Sequence, residues 1–320
     1  MELRDTFGRK IDYIRLSVTD RCNLRCIYCA PGGANWCSVN PRKLIGFEKM
    51  LSFLGVARKY GLKKVRITGG EPLLRKDIVR IVSSIKELGI EDLGLTTNGQ
   101  LLPIFAQKLK RAGLDRVNIS LDSLSPERYW EITGGGSLSR ALLAVSVAER
   151  VFWPAPVKIN MVPIRGINED EIADFAAMTL ENPFHVRFIE LMPVGGGKKT
   201  KTFEGLRITA GEAKKTISSQ LLPLGRTGSS DNYKVAPDAK GVIGFISPMS
   251  GHFCDSCNRL RITADGKIRP CLFSDYEEDL NTATSDAGME RLLLASVLGK
   301  AKGSLLEKGV KFEAMQQIGG

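Results

Sequence analysis

The order of apolar and polar segments predicts an α/β protein built on a parallel sheet. Three observations carry this expectation. Apolar, β-branched runs recur six times before residue 192, amphipathic segments of helical length separate several of them, and polar residues gather just past the runs.

Taken in order, residues 11–18, 65–68, 92–97, 116–121, 157–162 and 185–191 are the predicted strands, each rich in residues that suit a pleated, half-buried surface. Residues 47–60, 77–88, 101–111, 138–150 and 169–178 space their apolar side chains along one face of a helix. Strand–helix alternation of this kind requires right-handed crossovers in a parallel sheet. Six repeats form either an open doubly wound sheet or an incomplete barrel, and periodicity leaves both open. Residues 195–205 are rich in Gly and Lys and read as a turn region, after which the repeat breaks. The expected division is a core at 1–194 and a smaller C-terminal module at 195–320. Within that module Leu260, Ile262 and Ile268 alternate around Asp265-Gly266, the pattern of a hairpin that brings Cys257 and Cys271 together.

Composition excludes several classes. In 320 residues, 43% are hydrophobic and 25% charged, which argues against disorder, a collagen-like chain or a coiled-coil rod. Forty-six Lys and Arg against 35 Asp and Glu leave a net charge of +11, which favours an anionic partner without choosing one. No apolar run reaches the roughly 18 residues of a membrane span, and the first residues lack the apolar core of a secretory signal. A cytoplasmic protein with no membrane partner is therefore expected.

Of seven cysteines, six fall into two triplets, Cys22, Cys26, Cys29 and Cys254, Cys257, Cys271. Cys37 stands apart and reads as a buried or half-buried thiol. With only His185 and His252 present, a zinc site using several histidines has little material.

The punctuation at the strand ends supplies a candidate site. Cys22 follows the first strand, Gly69-Gly70-Glu71-Pro72 the second, Thr97-Asn98-Gly99 the third, and Ser120 and Asp122 the fourth. Asn160 and Met161 lie on the fifth strand, and residues 190–193 close the sixth. Parallel sheets place binding and chemistry at this carboxyl rim, which points to an enzyme. A loop with the spacing Cys22-x3-Cys26-x2-Cys29 can hold three irons of a four-iron cluster and leave the fourth open to a small molecule. A zinc knuckle, the alternative, needs a fourth protein ligand. Spacing alone leaves both readings open for the Cys254 triplet, with His252 as a possible fourth zinc ligand.

The Cys22 loop resembles that of the radical S-adenosylmethionine (radical SAM) superfamily. That resemblance implies a 4Fe-4S cluster on Cys22, Cys26 and Cys29 whose free iron is chelated by the methionine moiety of S-adenosylmethionine. It also implies cofactor contacts from Gly69, Gly70, Thr97, Ser120 and Met192, with Glu71 as an acceptor for the methionyl ammonium. Longer runs narrow the resemblance: residues 14–23, 64–73, 157–160 and 187–193, then 253–261, Asp265-Gly266 and Cys271-Leu272. They are similar to the branch of the superfamily that acts on GTP at the first step of molybdenum cofactor biosynthesis.

From this branch follow an incomplete (β/α)6 TIM-like barrel and a C-terminal auxiliary-cluster module. A second 4Fe-4S cluster is implied on Cys254, Cys257 and Cys271, holding the purine of GTP. Arg15, Lys64, Arg66, Lys158, Arg187, Arg259 and Arg261 become the substrate-binding set, suited to a triphosphate because guanidinium forks bind phosphate oxygens in pairs. Arg15, Gly319 and Gly320 are the catalytic candidates, the terminal pair entering the channel. The implied reaction removes hydrogen from C3' of GTP and joins C3' to C8, giving 3',8-cyclo-7,8-dihydro-GTP. An external low-potential electron donor, a homodimer and a downstream cyclic pyranopterin monophosphate synthase are the implied partners, and nucleic acid is not among them. The chain departs from the family pattern after Cys29, where Ala30-Pro31 replaces Met-Pro and residues 32–37 alter the loop. Two alternatives are a zinc-stabilised nucleotide- or RNA-binding protein and another radical SAM enzyme with an auxiliary cluster.

Overall fold

The computed structural model describes residues 2–29, 44–193, 201–217, 220–303 and 305. Its first half alternates strand and helix: β1 (Tyr13–Ser17), α1 (Phe47–Lys59), β2 (Lys64–Thr68), α2 (Ile78–Glu87), β3 (Asp92–Thr97), α3 (Leu102–Arg111) and β4 (Arg116–Ser120). The alternation continues through α4 (Pro126–Thr133), α5 (Leu138–Phe152), β5 (Lys158–Met161), α6 (Ile172–Glu181) and β6 (His185–Ile189). The six expected strands are all present, and β1 to β6 lie side by side in chain order, all parallel.

Helix α4 has no counterpart among the sequence-based elements, although its ends carry clear signals. Ser125 caps it by accepting a hydrogen bond from the Arg128 amide, Pro126 opens it, and Gly134 ends it at φ +64°. It is short, and Tyr129 and Ile132 are its buried apolar side chains. The segment expected as a helix at 169–178 begins instead with a 3-10 turn at Glu169–Glu171 before α6.

The rest of the chain comprises α7 (Lys201–Leu206), α8 (Ala210–Thr216), β7 (Leu222–Thr227), β8 (Ser230–Lys234), β9 (Val242–Ile246), β10 (Arg259–Ile262), β11 (Lys267–Arg269), β12 (Glu278–Asp279) and α9 (Asp286–Leu298). Its strands join the same sheet on both sides. β10 pairs in parallel with β1, and β9 with β6, so the order is β12-β11-β10-β1-β2-β3-β4-β5-β6-β9-β8-β7. An arc of six strands leaves two unpaired edges, and these additions cover both. The sheet is not closed, as expected of an incomplete barrel. The hairpin around Asp265-Gly266 is β10–β11, with Arg261 opposite Arg269 and Ile262 opposite Ile268.

Alternation along each strand sorts the two faces. Ile14, Leu16, Val65, Ile67, Leu93, Leu95, Val117, Ile119, Ile159, Val186, Phe188, Ile243, Phe245, Leu260 and Ile262 are all buried in one apolar core with the helices. Their neighbours point the other way, and most of these are charged or polar: Tyr13, Arg15, Lys64, Arg66, Arg116, Asn118, Lys158, Arg187, Arg259 and Arg261 line a cavity. The inner face is thus a lined chamber and not a packed interior. No helix among the described residues is long and apolar enough to cross a membrane.

Candidate active site

A cavity of about 480 Å³ runs along the inner face of the sheet, and all six cysteines of the two triplets line it. The triplets sit at opposite ends of the parallel strands. Cys22 lies beyond Ser17, the last residue of β1, whereas Cys257 lies just before Arg259, which pairs with Tyr13, the first residue of β1. The four residue steps of β1 separate these two levels by about 13 Å.

The first cysteine loop is fixed from two sides. The amides of Arg25 and Ile27 donate to the carbonyls of Thr133 and Ile132 at 2.8 and 2.9 Å, docking the loop on the end of α4. From β2, the amides of Gly70 and Glu71 donate to Thr19 and Arg21 carbonyls, each at 2.7 Å. Neither glycine has room for a side chain: a Cβ on Gly69 would press on the Thr19 backbone, and one on Gly70 would lie 2.6 Å from the Arg21 carbonyl carbon. The pair therefore holds the cysteine loop as well as lining the cavity.

Glu71 lies between the ends of β2 and β3. It is fully buried, does not line the cavity, and accepts hydrogen bonds from Leu73 N at 3.1 Å, Thr97 Oγ1 at 2.8 Å and Asn98 N at 2.8 Å. Burial pushes its carboxyl up to about 7 despite these three donors. These bonds tie the end of β2 to the end of β3. Thr97, Ser120 and Met192 do line the cavity.

Tyr13, Tyr28, Asn118 and Val162 line the cavity from outside the sequence-based site, and two of them meet Asp122, which the sequence places at the end of the fourth strand. Tyr28 donates to Asp122 Oδ2 at 2.6 Å, the Val162 amide donates to Asp122 Oδ1 at 3.0 Å, and burial pushes the Asp122 carboxyl up to about 6. Asn98 Nδ2 lies 3.8 Å from Cys22 Sγ. Tyr13 stands between Arg259 and Lys64 in register. Burial alone would push its phenol up, but the Arg66, Arg15 and Arg259 guanidiniums outweigh this and bring it down to about 7. A signal for Tyr13 and Asn118 existed: each is two residues from a substrate-set or rim residue on its own strand and so shares its face.

The middle of the cavity is strongly cationic. Arg261, Arg15 and Arg66 occupy one row across β10, β1 and β2. Arg66 Nη1 donates to Asn118 Oδ1 at 3.2 Å. Burial and neighbouring guanidiniums push Arg187 and Arg261 down, and burial with Arg187 brings the Lys158 ammonium down to about 7. Lys64 lines the cavity from the exposed end of β2. The Nε atoms of Arg66 and Arg187, Thr96 Oγ1, Asn160 Oδ1 and Glu190 Oε1 are buried without a hydrogen-bond partner, and all five residues line the cavity. Buried polar atoms are rarely left unpaired. Clustered cations with unused donors suit a polyanion that brings its own acceptors.

The residues present fit iron-sulfur clusters. Burial pushes the Cys22 thiol up to about 11 and raises the Cys26 thiol well above its ordinary value, so thiolates there call for a cationic partner, which iron provides. Among the described residues no three His, Cys, Asp or Glu side chains gather closely enough for a single metal ion. A four-iron cluster has the different requirement of one thiolate at each of three separate irons. At the second triplet, burial and the neighbouring Cys271 and Cys257 raise Cys254. Burial opposes ionisation of Cys257, but Lys300 and Arg259 outweigh it and bring that thiol down. His252 has its Nδ1 2.9 Å from the Pro248 carbonyl. Cys37, the loop at 30–37, Gly319 and Gly320 lie outside the described residues.

Residues 16–179 match the family model for the radical SAM superfamily, and residues 184–303 match that for Molybdenum Cofactor Synthesis C. SuiB of Streptococcus suis, solved with S-adenosylmethionine bound, superposes with a TM-score of 0.66 at 16% identity, over 88% of this chain and 66% of that longer one, a likeness of fold alone. Fold and cysteine loop together define a radical SAM protein. More similar in sequence are proteins named GTP 3',8-cyclase. That of Heliobacterium modesticaldum is 47% identical over 99% of both chains, and that of Alkaliphilus metalliredigens is 46% identical over 87% of this chain and 86% of its own. The chain belongs to the GTP 3',8-cyclase family of the radical SAM superfamily.

Proposed function

We propose that this chain converts GTP to 3',8-cyclo-7,8-dihydro-GTP in molybdenum cofactor biosynthesis. The observation that carries the reading is one cavity with a cysteine triplet at each end and a row of guanidiniums between them. When bound, the N-terminal cluster with S-adenosylmethionine supplies a 5'-deoxyadenosyl radical.

The chain's own residues bind and orient. Arg15, Arg66, Arg259 and Arg261 take the triphosphate, with Lys64, Lys158 and Arg187 adding charge around it. Cys254, Cys257 and Cys271 would hold a second 4Fe-4S cluster, which would bind the purine. Gly69, Gly70, Glu71, Thr97, Ser120 and Met192 are assigned to S-adenosylmethionine. Enclosure within the sheet keeps C3' near the adenosyl carbon, keeps C8 within reach of C3', and excludes stray hydrogen donors. In the reaction the C3' hydrogen leaves as an atom, the C3'–C8 bond forms, and one electron from an external low-potential donor with one proton completes the product. Arg15 positions or helps quench that final state, and Gly319 and Gly320 are assigned to the channel.

The same reading divides the chain at 194/195, places it in the cytoplasm as a homodimer, and makes a cyclic pyranopterin monophosphate synthase the consumer of its product. The test is anaerobic reconstitution with iron and sulfide, then incubation with a reductant, S-adenosylmethionine and GTP. About eight irons per chain and GTP consumption matched by 5'-deoxyadenosine are expected. Zinc retention by an iron-free folded chain, or 5'-deoxyadenosine formed without GTP loss, would overturn the reading.

A further inference from the structure

Lys300 follows α9 and is far in sequence from every cysteine, yet it is 5% exposed. Its Nζ donates to the Arg259 carbonyl at 2.8 Å and the Pro270 carbonyl at 2.8 Å, and lies 3.9 Å from Cys257 Sγ. A lysine ammonium has three hydrogens, and here all three have an acceptor. Two of these acceptors are neutral carbonyls. The third is the sulfur of a cluster ligand, and it becomes the anion among them once Cys257 ionises. A buried ammonium without an anion is expensive, so its location marks where negative charge is meant to reside.

The two carbonyls are equally telling. Arg259 begins β10, two residues past Cys257, and Pro270 directly precedes Cys271. One ammonium therefore pins the backbone beside two of the three cysteines. The third is reached by a parallel device: Arg9 Nη1 donates to the Cys254 carbonyl at 2.7 Å and Arg9 Nη2 to the Ala301 carbonyl at 2.7 Å. Arg9 is itself held by Asp5 at 2.5 Å, with both side chains almost wholly buried. The segment just after α9 is thus tied to the second triplet at both of its ends.

We propose that Lys300 is the positioning residue of the second cysteine triplet, orienting Cys257, Arg259 and Cys271 and offsetting the charge of the thiolate-bound cluster. This rests on the two-cluster reading above. Outer hydrogen bonds to a ligating atom tune metal centres and typically alter affinity 10- to 100-fold. Removing a cationic donor from a sulfur makes the cluster harder to reduce, so its midpoint potential falls.

The test compares anaerobically reconstituted parent, Lys300→Met and Lys300→Arg full-length chains. Redox titration is followed by electron paramagnetic resonance, and iron retention is measured against a chelator. In Lys300→Met the second cluster is expected to titrate at lower potential and to release iron about 10- to 100-fold faster, with the spectrum of the first cluster unchanged. Lys300→Arg, which keeps charge and donors, is expected to recover most of the potential; if Lys300→Met fails to fold, Lys300→Gln, which keeps donors but not the charge, replaces it with the same expected shift. Equal potentials and equal iron release in the parent and the folded neutral variant would overturn the role of Lys300 alone. A parent chain with only about four irons would overturn the two-cluster reading, and this proposal with it.

Discussion

Arg66 occupies the space that a side chain at position 94 would fill. Gly94 pairs in register with Arg66 across β2 and β3, and a Cβ added to it would lie 2.5 Å from the Arg66 Cζ. The missing side chain lets the guanidinium lie over β3 and reach Asn118. Because the obstacle is the far end of a flexible side chain, Gly94→Ala should fold with nearly the parent melting temperature while displacing Arg66. An ångström of misplacement at a reacting site can cost about 100-fold, so kcat/KM for GTP should fall by about 10- to 100-fold. Steady-state kinetics beside a thermal melt separate this from a folding defect.

Gly70 meets an obstacle of the opposite kind. Its Cβ would run into the backbone of Asp20 and Arg21, which cannot swing aside. Gly70→Ala must therefore shift the cysteine loop, and overpacking of this sort costs about 1–3 kcal/mol. Iron per chain should drop by about half as the first cluster is lost, with the second cluster's spectrum retained. Full iron content and normal S-adenosylmethionine cleavage in this variant would show that the close approach is not needed.

These two glycines differ in how far the amino-acid order reveals them. Gly70 sits in a motif at a strand end, so its importance is legible from its neighbours in the chain. Gly94 lies mid-strand with ordinary backbone angles, and its role exists only because Arg66 is its neighbour across the sheet. The six parallel strands and most helices are legible because period-2 and period-3.6 patterns are local. Periodicity does not separate an open sheet from an incomplete barrel, since the edge pairings of β9 and β10 join residues more than 40 apart in sequence, and the incomplete barrel follows from the family resemblance. The cysteine triplets are legible through spacing. Lys300 and Arg9 are not, because each is a single charged residue whose meaning comes from a contact 40 or more residues distant.

Arg261 faces Arg15 across the parallel β10–β1 pair, with Arg259 two residues earlier on the same strand. A row of this kind is costly without an anion and favourable with one. Arg261→Lys keeps the charge but loses the planar fork, and should raise KM for GTP about tenfold, with Arg261→Ala raising it further. Because the first triplet lies at the other end of the strands, 5'-deoxyadenosine should still form in both variants, increasingly uncoupled from GTP consumption. If cofactor cleavage falls in step with GTP turnover, binding and radical formation are not separated along the cavity as the structure suggests.

Acid stability should depend on His185. Burial, followed by the neighbouring Arg187 and Lys158, brings its imidazole down to about 3, against the slight opposing effect of its hydrogen bond with Asn232 at 3.1 Å. The ordinary value in an unfolded chain is about 6.5. A base depressed on folding stabilises the native state fully above that unfolded value, and the contribution is lost as pH falls, because the unfolded chain takes up the proton first. The window therefore opens near pH 6.5 and extends towards pH 3. By pH 5 about 1.5 pH units of it have been crossed, which amounts to about 2 kcal/mol. His185→Gln keeps a donor for Asn232 Oδ1 and removes the titration. Urea unfolding of cluster-free parent and variant at pH 7 and pH 5 should show the parent losing about 2 kcal/mol more than the variant. Equal losses would mean that His185 is protonated in the folded chain, and that the cationic side chains of β5 and β6 tolerate another positive charge between them.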